Sequence, residues 1–127
     1  MTSLFTKIIA GEIPCQRVWE DPGHIAFLDI RPVQPGHTLV VPKREVGYLF
    51  DLEQGEYEAL WSAVRSVESK LRETLDCERV VITVVGWEVA HVHVHLIPTN
   101  GLGDFAFPQP CNATDKELER AASLLCL

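Results

Sequence analysis

Residues 89–97 carry the pattern that most constrains this chain, because three histidines occupy every second position of an otherwise apolar stretch. Valines stand between His91, His93 and His95, and β-branched residues favour a β-strand. Successive side chains of a strand point to opposite faces of its sheet. The pattern therefore predicts a strand over 89–97, with the histidines on one face and apolar side chains on the other.

Four further strands are predicted from short apolar runs that are bounded by turns rich in glycine and proline. They cover residues 16–20, 24–30, 37–41 and 79–85. Together with 89–97 they give five strands, joined largely by hairpins. With helices on one side of the sheet, this order indicates an α+β fold built on a five-stranded antiparallel sheet.

One long helix and two short terminal helices complete the predicted fold. Apolar residues at 57, 60, 61, 64, 67, 71 and 75 have the spacing of one helix face. Asp51 is expected to cap this helix, with Gln54 completing a capping box, and the helix should run to about Leu75. Short helices are predicted over 3–10 and from the capping box at Thr114 to residue 126.

Length and charge restrict the classes of function. The 127 residues predict a single domain over 1–127, in which 98–127 form a C-terminal loop and helix. A net charge of -7 and the lack of any long basic run argue against nucleic-acid or membrane-surface partners. The N-terminus lacks a signal-peptide pattern, and the four scattered cysteines are typical of thiols in a cytoplasmic protein.

Three explanations of the histidine stripe compete. The rings could lie on a solvated sheet face, or three neutral imidazoles could hold a catalytic zinc ion, although the motif contains no carboxylate or cysteine ligand. Alternatively, one imidazole could attack a phosphorus or acyl centre and form a covalent intermediate. Histidine suits this task because its usual pKa of about 6.5 lets neutral and protonated rings coexist near neutrality. The spacing alone does not choose between the metal and the nucleophile.

Four ordered segments make the sequence recognisable. The His-x-His-x-His motif is preceded by residues 4–14, 27–32 and 35–43, and this order resembles the histidine triad (HIT) superfamily of nucleotide hydrolases and transferases. The resemblance covers about residues 3–98 and implies a HIT-like fold.

The resemblance implies roles for four histidines. His93, the middle histidine of the motif, matches the nucleophile that attacks an α-phosphorus and carries a transient nucleotidyl group. His91 and His95 match flanking residues that contact phosphate and orient the reacting ring. His37 matches a further histidine that hydrogen-bonds within this cluster.

A nucleotide-binding set follows from the same resemblance. Asp29 matches the carboxylate that accepts hydrogen bonds from the ribose hydroxyls, although by itself it would be interpreted as a turn residue. The apolar slot for the base matches positions that could also belong to the core. These positions are Leu4, Phe5, Ile8, Ile13, Phe27, Ile30 and Leu39.

Two departures distinguish this chain from many members of the superfamily. Before the triad, Trp87 and Glu88 replace a glutamine and a phosphate-binding hydroxyl residue, which places the chain in a variant branch with the pattern Gly-x-Glu-Val-x-His. A carboxylate beside a phosphate is unfavourable unless it is protonated or turned away.

The second departure concerns a structural zinc site of some bacterial relatives. Ser3, Thr6 and Glu45 occupy positions of its ligands, so no metal and no cofactor is expected.

The sequence therefore predicts a hydrolase for purine nucleotides that acts through a nucleotidyl-histidine intermediate on His93. The expected substrate has a leaving group of phosphoramidate or adenylate type on the α-phosphate. A dinucleoside polyphosphate hydrolase, a catalytically weak nucleotide-binding protein and a metal-dependent hydrolase are the alternatives. The expected partners are a small purine nucleotide and, from the resemblance, a second copy of the chain in a homodimer.

Overall fold

A computed structural model describes residues 2–126, so the two terminal residues of the predicted 1–127 domain lie outside the described part. It contains a five-stranded antiparallel sheet, which confirms the predicted fold class. The strands are β1 (Arg17–Glu20), β2 (His24–Leu28), β3 (Thr38–Pro42), β4 (Arg79–Thr83) and β5 (Val94–Thr99). The helices are α1 (Leu4–Ile9), α2 (Gln54–Thr74) and α3 (Asp115–Leu125), with single 3-10 turns at Leu49–Asp51 and Leu102–Asp104.

The strand order places the last strand in the middle of the sheet. The order is β1-β2-β3-β5-β4, so the chain leaves β3, forms α2 and the edge strand β4, and returns to insert β5 beside β3. In this register His95 on β5 lies opposite Leu39 on β3. The insertion therefore brings two distant parts of the sequence together near His37.

Both faces of the sheet are covered, so the expectation that the helices lie on one side is wrong. Helix α2 packs on the face formed by Ala26, Val40, Val94 and Leu96. Helix α1 covers the opposite face, which is formed by Ile25, Phe27, Leu39 and Val41. The physical reason is that β2 and β3 are apolar at consecutive positions, and each apolar face needs a partner to exclude water. Helix α3 packs on neither face and buries none of its residues.

The long helix begins later than the sequence predicts. Asp51 lies in the 3-10 turn, and Glu53 is the N-cap, in a capping box with Glu56. The turn buries Leu49 and Leu52 against the core before the helix starts, which explains the shift. None of the described helices combines the length and apolarity that a bilayer-spanning segment needs.

The histidine stripe is not one strand. Strand β5 starts at Val94, so His91 and His93 precede it in an irregular segment that follows β4, and the prediction of a strand over 89–97 is wrong. The amide of Val92 donates to the carbonyl of Val46 at 2.8 Å instead of to a neighbouring strand. His91 and His93 are both buried, which also removes the solvated-face explanation.

A tight turn before β3 depends on Gly36. Its φ of +90° lies in the region that favours glycine, and the His37 amide closes the turn on the Gln34 carbonyl at 3.0 Å. A Cβ at residue 36 would collide with the Leu75 side chain and press on Pro98. The turn therefore sets the position of His37.

Replacing Gly36 by alanine should lower the free energy of unfolding by about 2–4 kcal/mol, through left-handed backbone strain and overpacking. Gly11→Ala is the matched control, because Gly11 has a φ of +82° and open space around it. It should cost only the strain, about 1–2 kcal/mol. Urea unfolding of both variants measures the difference, and equal losses would contradict the packing argument.

Candidate active site

A cavity of about 430 Å³ opens between α1, the ends of β2 and β3, and the segment that precedes β5. Its size is in the range of small-molecule sites. All seven predicted slot residues line it, together with Asp29, His37, Glu88, His93 and His95. The structure therefore brings together every predicted site residue except His91.

The apolar wall has a buried floor and an exposed rim. Phe5, Ile8, Phe27 and Leu39 are buried and belong to the core cluster under α1. These residues therefore belong to the core and at the same time line the cavity, and their role in binding a base stays a prediction. Ile30 is 91% exposed and stands at the rim.

The orientation of His93 is set by the main chain. Its Nδ1–H donates to the carbonyl oxygen of His91 at 2.7 Å, so the lone pair of the neutral ring resides on Nε2. The ring of Phe5 packs edge-on against His93 at 4.7 Å between centroids. His93 is 6% exposed, at the cavity wall. A buried ring with one nitrogen engaged and the other unprotonated has the form that a nucleophile requires.

His91 lies behind the cavity and does not line it. The ring is fully buried, with Nε2 donating to the Pro42 carbonyl at 2.7 Å and Nδ1 2.6 Å from the Ser3 hydroxyl. Both ring nitrogens are therefore engaged, and the ring has no access to a ligand phosphate. Of the two roles that the resemblance implies for His91, this geometry supports orientation and does not support phosphate contact.

His37 and His95 form a hydrogen-bonded pair whose proton positions follow from the backbone. The Val33 amide donates to Nδ1 of His37 at 3.0 Å, so Nδ1 is an acceptor and the proton of the neutral ring is on Nε2. That Nε2–H donates to Nδ1 of His95 at 2.9 Å. The proton of His95 is consequently on its own Nε2, which leaves a hydrogen-bond donor on a ring that lines the cavity.

Burial keeps these rings neutral. It lowers the pKa of His37, against the opposing pull of the Asp29 carboxylate. Burial, followed by the neighbouring His93 and His37, lowers the pKa of His95 to about 4. The histidine cluster therefore presents a neutral donor to the cavity near neutral pH.

Asp29 is placed at the end of β2, where the strand pairing stops. Its Oδ1 accepts the Arg31 amide at 2.9 Å, and its Oδ2 lies 3.7 Å from Nε2 of His37. The carboxylate still lines the cavity and has lone pairs left for a ligand hydroxyl. Glu88 is exposed and also lines the cavity, so its charge faces solvent as well as the site.

One group among the described residues has the spacing of a metal site. Ligand atoms of Asp29, His37 and His95 lie within 4.8 Å of one another. However, the Val33 amide donates to Nδ1 of His37, so the proton of the neutral ring is on Nε2, the nitrogen that faces Asp29 and His95. A metal would need the opposite tautomer and would break that bond. The donor set does not fit a metal, and within residues 2–126 the three motif histidines do not converge as ligands.

Sequence reasoning missed the groups that fix these tautomers. The Val33 donor is a backbone amide, for which a side-chain motif gives no signal. The sequence places Ser3 at the start of a helix and at a position where some relatives bind zinc, but neither interpretation predicts that its hydroxyl contacts His91. A serine at a helix N-cap is a common signal, but the second contact joins residues 88 positions apart and could not be read from spacing.

The fold and the cavity together define a small α+β protein in which a buried histidine, the candidate nucleophile His93, lines a largely apolar cavity. The HIT domain family matches residues 10–102, and the chain belongs to this family. HIT proteins are in general nucleotide-binding hydrolases and transferases.

Solved structures extend the likeness to nearly the whole chain. A HIT family member from Bacillus subtilis is 30% identical with a TM-score of 0.84, covering 98% of this chain and 95% of that one. A HIT family hydrolase from Legionella pneumophila is 34% identical with a TM-score of 0.64, covering 76% and 91%. A zinc-bound histidine triad protein from Mycobacterium smegmatis is 26% identical with a TM-score of 0.77, covering 98% and 96%.

The lowered pKa of His95 predicts an acid-sensitive fold. In the unfolded chain histidine has a pKa of about 6.5, so between that pH and about 4 the unfolded state binds a proton that folded His95 does not. The free energy of unfolding should therefore fall as the pH falls through this window, by at most about 1.4 kcal/mol per pH unit for this residue. The burial of His37 and His91 acts in the same direction.

Urea unfolding between pH 7 and pH 5 measures this loss, and His95→Asn should reduce its slope. Titration of the His95 ring by NMR provides a direct check. A ring that titrates near pH 6.5 in the folded protein would contradict the account.

Proposed function

We propose that the protein hydrolyses the bond between the α-phosphate of a purine nucleotide and its leaving group, with His93 as the nucleophile. The observation that carries the proposal is the 2.7 Å hydrogen bond from His93 Nδ1–H to the His91 carbonyl, which places the lone pair of the neutral ring on Nε2. Membership of the HIT family supports the general class of reaction.

The nucleotide is proposed to lie along the cavity. The base enters the apolar slot under α1, and Asp29 accepts hydrogen bonds from the ribose hydroxyls. The α-phosphate then meets His93 and His95, which line the same cavity. A site that holds the reacting atoms in contact removes much of the entropic barrier of the reaction.

The proposed reaction has two displacements at phosphorus. Nε2 of His93 forms a bond to the α-phosphorus, and the bond to the leaving nitrogen or oxygen breaks, with its electron pair going to the leaving atom, which takes a proton from water. The His91 carbonyl stabilises the positive charge that then develops on the His93 ring. Water next attacks the phosphorus and loses a proton to solvent, which offsets the proton taken up by the leaving atom. The bond between phosphorus and Nε2 breaks, and its electron pair returns to Nε2, which releases the nucleoside monophosphate and restores neutral His93.

His95 is proposed to assist as a neutral donor. Its Nε2–H can donate to a phosphoryl oxygen. The hydrogen bond from His37 Nε2–H to His95 Nδ1 keeps His95 in this tautomer. Preorganised donors of this kind stabilise developing charge without reorganising during the reaction.

The charges at the cavity favour a phosphoramidate or adenylate over a dinucleoside polyphosphate. Among the described lining residues, Asp29 and Glu88 are acidic and Arg31 is the single residue that is either lysine or arginine. The lowered pKa values of His37 and His95 keep both rings neutral. A leaving group of several phosphates would add negative charge beside Glu88, which is unfavourable. Dinucleoside polyphosphate hydrolysis remains the second candidate within the family. A catalytically weak nucleotide-binding protein is less well supported, since all four histidines are in place.

His93→Asn should lower turnover of a nucleoside 5′-phosphoramidate by about 10³-fold or more, because the attacking nitrogen is removed. Binding of the nucleoside monophosphate should persist, since the slot and Asp29 are unchanged. Steady-state kinetics and isothermal titration calorimetry measure the two effects.

His24→Asn is the matched control, because His24 is also a buried histidine but bonds Asp21 and lies outside the cavity lining. It should retain turnover. Ordinary turnover by purified His93→Asn protein would disprove the mechanism.

We further propose that the protein is a homodimer joined along β4. This strand is the sheet edge, and its sequence Arg-Val-Val-Ile-Thr has one charge, no proline and no bulge to discourage pairing. An exposed apolar surface lies nearby, formed by Tyr48, Phe50, Ile82 and Val85. Helix α3 also leaves Leu118, Leu124 and Leu125 exposed. A second copy of the chain would cover such surfaces by two-fold symmetry.

Ile82→Lys should shift the protein from dimer to monomer, because it places a charge on the proposed interface. Gln16→Lys is the control, because residue 16 is exposed beside the opposite edge strand. Sedimentation velocity at micromolar protein measures the change. A wild-type protein that is monomeric there, or an unaffected Ile82→Lys variant, would contradict the dimer.

A further inference from the structure

We propose that Ser3, Thr6 and Glu45 form a hydrogen-bonded clamp that positions His93, although none of the three touches the proposed substrate. This inference rests on the proposed role of His93 as the nucleophile. The group Ser3, Thr6, Glu45 is called the N-terminal clamp below, and its residues are positioning residues.

Glu45 anchors the start of α1. Its Oε1 accepts the Ser3 amide at 2.6 Å and the Thr6 hydroxyl at 2.7 Å. Hydrogen bonds to an ionised acceptor are about twice as strong as neutral ones. These two bonds lower the pKa of Glu45 to about 2, so the carboxylate stays charged throughout the neutral range. The anchor therefore does not weaken at working pH.

Ser3 connects this anchor to His91. Because His91 Nε2–H donates to the Pro42 carbonyl, Nδ1 of the neutral ring is an acceptor, and the Ser3 hydroxyl donates to it at 2.6 Å. The Ser3 oxygen in turn accepts the Thr6 amide at 3.0 Å, as the N-cap of α1. Every donor in this chain of contacts has an acceptor, and the ring of His91 is held at both nitrogens.

Two routes lead from the clamp to the reacting ring. Through the first, the fixed residue His91 presents its main-chain carbonyl to His93 Nδ1–H at 2.7 Å. Through the second, the anchored helix α1 holds Phe5, which is part of the buried floor of the slot, edge-on against the His93 ring. The clamp therefore fixes both the tautomer of the nucleophile and the wall that the base contacts.

The chain contains a matched control for Glu45. Glu56 is another carboxylate whose pKa is lowered to about 2, in its case by Arg44, with hydrogen bonds of 2.6 and 2.7 Å. It completes the capping box of α2 with Glu53 and lies outside the cavity lining. Removing either carboxylate breaks strong exposed hydrogen bonds, but only Glu45 connects to His93.

The first test compares Glu45→Ala with Glu56→Ala in the 127-residue chain. Glu45→Ala should reduce kcat by about tenfold or more, since small misplacements of reacting groups have effects of up to about 10². It should also raise KM, because α1 forms the slot. Glu56→Ala should keep both constants within about twofold, even if it loses more thermal stability. Equal kinetic effects in the two variants would overturn the proposal.

The second test follows the rings directly. Ser3→Ala removes the donor to His91, whereas Ser3→Thr keeps a hydroxyl and should restore wild-type behaviour. By ¹⁵N NMR, wild-type His91 should show the Nε2–H tautomer and His93 the Nδ1–H tautomer. In Ser3→Ala and Glu45→Ala the His93 signals should shift toward a mixture of tautomers, and unchanged signals would overturn the proposal.

The two proposals fail in different ways. If His93→Asn retains turnover, His93 is not the nucleophile, and the NMR comparison still decides whether the N-terminal clamp positions the rings. If Glu45→Ala shows normal kinetics and normal ring signals, the N-terminal clamp does not position His93, and the role of His93 as the nucleophile is unaffected.

Discussion

The hydrogen bond from His93 Nδ1–H to the carbonyl of His91 is the constraint on which the rest of the site depends. It determines which nitrogen of the ring is unprotonated, and it exists because residues 91–93 leave the strand pairing. In a regular strand that carbonyl would face a neighbouring strand. The amide of Val92 donates to the carbonyl of Val46 instead. The carbonyl of His91 therefore accepts from the His93 side chain and not from a neighbouring strand.

A second arrangement of backbone groups sets the opposite side of the site. The turn at Gly36 and the Val33 amide fix His37, and His37 fixes His95 as a neutral donor. Burial lowers the pKa of both rings, so this pair offers oriented dipoles to the cavity rather than positive charge. Insertion of β5 beside β3 is what makes this contact possible. Fold topology and site chemistry are thus connected through one strand pairing.

The sequence was sufficient for the five-stranded sheet and the long helix, because these depend on hydrophobic periodicity and turn residues. The slot residues came from the family resemblance instead, and all seven of them line the cavity. The sequence was insufficient for the start of β5, since the Val92–Val46 bond is a long-range backbone contact without a side-chain signature. His91 and His93 have the same residue type and spacing from their neighbours, yet one is fully buried behind the cavity and the other lines it. Only the three-dimensional positions of Pro42 and Ser3 distinguish them.

In the proposed mechanism, His93 becomes covalently bonded to the α-phosphorus during turnover. Mass spectrometry of protein quenched during turnover of a nucleoside 5′-phosphoramidate tests it directly. We expect a mass increase of one nucleotidyl group, which maps to the peptide that contains His93 and is absent from His93→Asn. Turnover without such an adduct, or an adduct on a different residue, would exclude His93 as the nucleophile.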